Sequence, residues 1–91
     1  MDINKRVVLK PDFILEKIDN EITVYHPVLT TSLYLNESGA LIWELCEKKR
    51  RIAEIIEVLE SAYPENSKQI AADVVTVIQQ LVERDFAELS D

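Results

Sequence analysis

The pattern of apolar and polar positions changes period once along this chain, at Asn36. Before that point the texture is β. Phe13-Ile14-Leu15-Glu16-Lys17-Ile18 has strand propensity, and Asp19-Asn20 supplies turn residues that tolerate positive φ. Glu21 to His26 alternates polar with apolar residues, as a half-buried strand does, until Pro27 breaks it. A third strand follows from Thr30 to Leu35. Together they predict a three-stranded antiparallel meander.

After Asn36 the apolar spacing is helical. Asn36 is a good N-cap and Glu37 places a negative charge in the first turn. Ala40, Leu41, Trp43 and Leu45, widened by Ile42 and Cys46, predict a first helix ending near Glu47. A second runs from Ile52 to Tyr63, with Ile52, Ile55, Ile56 and Leu59 on one face, and Pro64 stops it. Ser67 is expected to cap a third helix from Lys68 to Arg84. Residues 85–89 predict a short closing strand or extended tail. Strands followed by helices make the α+β class, here a three-stranded antiparallel sheet followed by a three-helix bundle similar to a winged helix-turn-helix. Residues 1–12 are expected as an N-terminal arm. Its Val7-Val8-Leu9 run suits a short strand, docking on a neighbour, or exchange within a homodimer, and residues 13–91 form the single domain.

Composition narrows the function. A chain of 91 residues makes one small core. Its longest stretch without an acid, lysine, arginine or histidine, residues 27–36, is about half a membrane span. One cysteine excludes an internal disulfide and points to a reducing compartment, expected to be the cytoplasm. With one histidine and one glycine, no metal site, cofactor or catalytic residue is expected, and an enzyme reading is disfavoured. The net charge of −7 comes from residues 52–91, which hold nine acids against Lys68 and Arg84. Phosphate binding draws on lysine and arginine, so no nucleic-acid partner is expected, and no membrane partner either.

Two features carry chemistry. The third strand is an edge of the meander, yet it holds no charge or proline from Val28 to Leu35, the usual means of blunting an edge. Such an edge is either covered by the chain's own structure or left open for another strand. The third helix is apolar over a wide arc. Ile70, Val74, Val77 and Leu81 form one stripe, and Ala71, Val75, Ile78 and Val82 a second, about 100° round. One stripe suits the other helices; the second suits the sheet or a groove beside it. An extended peptide could therefore bond to the main chain of Thr31, Ser32, Leu33, Tyr34 and Leu35, and drop alternate side chains into a trough walled by Asp73, Val74, Val77, Ile78 and Leu81.

Leu35-Asn36-Glu37-Ser38-Gly39-Ala40, then Ile42-Trp43-Glu44-Leu45-Cys46, resembles the signature of PqqD-like proteins. Ile52-Ala53-Glu54-Ile55-Ile56 is similar to that family's second helix, and Asp73-Val74 with Ile78, Leu81 and Val82 to its third. The resemblance covers roughly residues 13–89. It implies a recognition element that holds the leader of a ribosomally made precursor peptide on strand three and helix three, and presents it to a modifying enzyme or leader peptidase. Members often carry Asp-Gly after the first helix, where this chain has Glu47 and Lys48. The stretch before Leu35 also lacks the Pro-Glu-Gly-like pattern of the members that serve pyrroloquinoline quinone synthesis. A lasso-peptide or radical-SAM partner fits as well.

The remaining candidates have plainer readings beside the functional ones. Asp73 is a solvated helix charge or an anchor for a basic group or amide of the leader. Lys48 to Arg51 is a solvated turn or a dock for an acidic partner. Trp43 and Cys46 are expected in the core, and His26 at a strand end is expected to be structural or exposed. The competing function is a winged-helix DNA-binding or protein–protein adaptor regulator. Against DNA binding stand Asp73, Glu83 and Asp85 around the third helix.

Overall fold

The computed structural model describes all 91 residues. In chain order the elements are β1 (Arg6–Leu9), β2 (Ile14–Ile18), β3 (Glu21–His26), β4 (Thr31–Leu35), α1 (Glu37–Glu47), α2 (Ile52–Ala62), a 3-10 turn (Pro64–Asn66), α3 (Ser67–Glu83) and β5 (Ala87–Ser90). Strands β2, β3 and β4 form the predicted antiparallel meander, in that spatial order. The α+β architecture is thus as expected, with a second, two-stranded sheet added.

That second sheet revises the arm. Strand β1 pairs antiparallel with β5, and Val7 is fully buried. Val7 N–H donates to the Arg50 carbonyl at 3.2 Å. Ile52 and Ala53 N–H, at the start of α2, donate to the Lys5 and Ile3 carbonyls at 3.0 and 2.8 Å. A helix leaves its first N–H groups without internal partners, and here the N-terminal segment supplies them. The short strand thus pairs with β5 of the same chain.

The helix ends follow from local chemistry. Asn36 Oδ1 accepts from Gly39 N–H at 3.0 Å and caps α1. A Cβ at Gly39 would lie 3.1 Å from Leu35 Cβ, so glycine lets α1 start hard against the end of β4. Both α1 and α3 end in the same paired-bond motif around a left-handed residue. At α1, Lys49 (φ 56°) and Arg50 N–H reach back to the Cys46 and Leu45 carbonyls. At α3, Asp85 (φ 63°) and Phe86 N–H reach the Val82 and Leu81 carbonyls. Helix α3 takes Asn66 as its N-cap rather than Ser67, because Pro64 opens a 3-10 turn that runs directly into it.

The core is one apolar cluster that includes Val24, Ile42, Trp43, Leu59, Val74, Ile78 and Phe86, and no charged side chain is buried. Trp43 Nε1 is the one buried side-chain polar atom without a partner. Phe13, Trp43 and Phe86 meet at one end, with Phe13 stacked on Phe86 at 4.7 Å and edge-on to Trp43 at 5.5 Å. His26 closes the cluster edge-on to Phe13, while its Nδ1 accepts from Val28 and Leu29 N–H at 3.2 Å. It is structural, as expected. No helix is long and apolar enough to cross a membrane.

Candidate functional site

Register decides which main-chain groups β4 leaves free. The two-residue turn Asp19-Asn20 makes Ile18 and Glu21 the closing hydrogen-bonded pair of the first hairpin. Glu21, Thr23 and Tyr25 therefore direct their N–H and C=O to β2. Ile22, Val24 and His26 direct theirs to β4, opposite Leu35, Leu33 and Thr31. Ser32 and Tyr34 are left with both main-chain groups pointing away from β3. No strand lies on that side. The Ser32 carbonyl accepts from Arg84 Nη2 at 2.7 Å, which independently places it outward.

Helix α3 runs beside this edge, antiparallel to β4. Its first half shares a cavity of about 600 Å³ with Asn36, Glu37 and Ser38, just past the end of β4. Its last turn reaches Thr31 and Ser32 through Arg84. Asp73 lines that cavity and Arg84 holds the far end, and eleven residues are just over three turns. The stripe of α3 facing β4 is thus Asp73, Val77, Gln80 and Arg84. Helix α3 packs mainly on α2, β5 and α1 rather than on β4, and the strip between β4 and this stripe is where the expected trough would lie.

The predicted site residues divide by burial. On β4, Thr31 and Leu33 are half-buried on the helix side with buried Leu35, while Ser32 and Tyr34 place their side chains on the outer sheet face. On α3, Asp73 is exposed and Val77 half-buried. Val74, Ile78 and Leu81 are wholly enclosed, which corrects their expected place on the trough lining: they back the wall from inside the core. Leu33 on β4 and Val77 on α3 are half-buried and pack against the core. The end near Asp73 is polar, with Asn36, Ser38, Asn66 and Gln69 around it. Partial burial raises the pKa of the Tyr63 phenol in that cavity, and the Glu37 carboxylate adds to the rise.

The other candidates serve the fold. Cys46 is fully buried, and burial pushes its thiol up to about 12, with a smaller push from Glu47. A thiol with that pKa is not a nucleophile at neutral pH. In the basic run, Arg50 lies 3.7 Å from Glu54, Arg51 Nη1 donates to the Asn4 carbonyl, and the Lys49 carbonyl accepts from Arg6 Nη1 at 3.1 Å. No group of His, Cys, Asp and Glu is placed to hold a metal ion.

Sequence reasoning missed Arg84 as a member of the site. The signal was present: it stands eleven residues after Asp73, on the same helical stripe. What could not be read was which stripe would face the sheet.

The fold has a solved counterpart. TbiB1, in complex with the TbiA(beta) leader peptide, matches with a TM-score of 0.77 at 22% identity, over 89% of this chain and 94% of that one. The likeness at this identity is one of fold. Curated proteins give no match. The family model of coenzyme PQQ synthesis protein D (PqqD) matches residues 13–87, β2 through the start of β5. The chain belongs to the PqqD family.

Proposed function

We propose that this protein captures the leader of a ribosomally made precursor peptide as a fourth strand on β4, against α3, and presents the precursor to a modifying enzyme or leader peptidase. The observation that carries this reading is the outward main chain of Tyr34 and the outward N–H of Ser32, on an edge of the sheet with no further strand. The leader peptide held by TbiB1, a protein of the same fold, supports it. Main-chain bonding supplies generic affinity, and Leu33 and Val77 supply selectivity for apolar residues. No catalysis is required of the chain, because presentation needs only a held and oriented peptide. Nothing in the structure favours the DNA-binding alternative, since the exposed face of α3 carries Asp73 and Glu83 beside Lys68 and Arg84.

A proline at the edge tests the reading, and register chooses the position. Leu33 N–H points to β3, so Leu33→Pro breaks the sheet itself. Tyr34 N–H points outward, so Tyr34→Pro removes a donor from the edge while the β3–β4 ladder stays whole. The probes are leader peptides of precursors encoded beside this gene, titrated against the 15N-labelled protein. The expected result is that amides of β4 shift with the wild-type chain, and that Tyr34→Pro abolishes binding with an unchanged circular-dichroism spectrum. Lys48→Ala, on the exposed connector, should bind normally. Equal binding by the wild-type and Tyr34→Pro chains would place the site elsewhere.

A further inference from the structure

We infer that Arg84 recognises a carboxylate on the guest strand and so sets its register along β4; this deepens the strand-addition reading and rests on it. Arg84 is the C-cap of α3, fixed by the paired bonds that Asp85 and Phe86 make back to the helix. Its guanidinium sits 5.5 Å over the Phe86 ring. From there Nη2 donates to the Ser32 carbonyl at 2.7 Å and to Thr31 Oγ1 at 3.4 Å. One of the two outward carbonyls of β4 is therefore already occupied. A guest strand pairing along the edge from the Asp73 end meets a stop at Ser32.

The stop carries unanswered charge. No carboxylate lies within 4.0 Å of Arg84. Its neighbour Asp85 is drawn instead to Lys10 at 3.5 Å. A guanidinium has five donors in a planar fork suited to a carboxylate, and only Nη2 is engaged. Residues 52–91 hold just one other cation, Lys68, at the opposite end of α3. The trough thus has a cation at one end and Asp73 at the other. Eleven helical residues span about 16 Å, which is about five residues of strand. The guest chemistry that fits is an extended, apolar peptide with an aspartate or glutamate about five residues from the residue facing Asp73.

The test is selection from a displayed library of random dodecapeptides by wild-type protein, Arg84→Gln and Arg84→Glu, each checked for an unchanged melting curve. Gln removes the charge while keeping a polar side chain at the end of α3. Wild-type protein is expected to enrich apolar peptides with an acid at one fixed spacing, by about tenfold over other positions. Arg84→Gln should lose the acid while keeping the apolar pattern, and Arg84→Glu should replace it with lysine or arginine. The same apolar peptides from all three proteins, with equal acid content, would overturn the role of Arg84 and leave strand addition standing. No extended peptides from the wild-type protein would overturn both.

Discussion

At the scale of single residues, Asn36 joins β4 to the helices. Its side chain accepts from Gly39 N–H at 3.0 Å and from Ser38 Oγ at 3.1 Å, directly after the last residue of β4. Asn36→Ala should lower stability by about 1 kcal/mol, the usual worth of such a cap. The measurement is a lower urea midpoint with an unchanged slope. Lys49 works against stability in the same way that Asn36 works for it. It holds φ at 56°, a conformation that costs a residue with a side chain about 1–2 kcal/mol. Glycine removes that strain but gives back part of the gain through a freer unfolded chain. Lys49→Gly should therefore raise stability by about 0.5–1 kcal/mol. A lowered urea midpoint would mean that α1 does not end in this turn.

At the scale of elements, α3 makes a prediction that separates its two flanks. Val77 and Val75 are both half-buried, but on opposite sides of the enclosed line Ile70, Val74, Ile78 and Leu81. Only Val77 shares the stripe of Asp73 and Arg84. Val77→Asp places a charge in the trough wall and should weaken leader binding by about tenfold or more, since burying a valine is worth about 1.5–3 kcal/mol. Val75→Asp should leave affinity unchanged, with both read by calorimetric titration. This is also where legibility in the sequence stopped. Strand β3 and helix α1 were readable to the residue, because strict alternation and an Asn cap are local signals. The two apolar stripes of α3 were readable too. Which of them faces β4 depends on how α1 and α2 seat the helix, and no local pattern encodes that. Val74, Ile78 and Leu81 were assigned to the lining for this reason. The partner of β1 was hidden more deeply, for Val7 and Leu89 are short-strand residues at opposite ends of the chain.

At the scale of the whole molecule, the β1–β5 sheet ties both ends of the chain to the helices. The family match begins at residue 13, so β1 lies outside it. A chain lacking residues 1–10 tests whether that segment is an accessory. Its removal takes fully buried Val7 from the core, and the acceptors of Ile52 and Ala53 N–H from the start of α2. It also takes the only strand partner of β5, and the Lys10 N–H that donates to the Phe86 carbonyl at 2.9 Å. Val7 alone is worth about 1.5–3 kcal/mol, and each orphaned donor adds about 1 kcal/mol or more unless water reaches it. Against a total of about 5–15 kcal/mol, that is a large share. The truncated chain should melt at least about 10 °C lower, at about 4–8 °C per kcal/mol for a domain of this size. Binding should respond differently from stability. The main-chain groups of Ser32 and Tyr34 belong to the β2–β3–β4 sheet, so truncated molecules that remain folded should still take a leader. Acid selectivity should fall first, because Phe86, which supports Arg84, loses its bond to Lys10. A truncated chain with unchanged melting and unchanged acid preference would show that the two sheets are independent, and that Arg84 is held by the end of α3 alone.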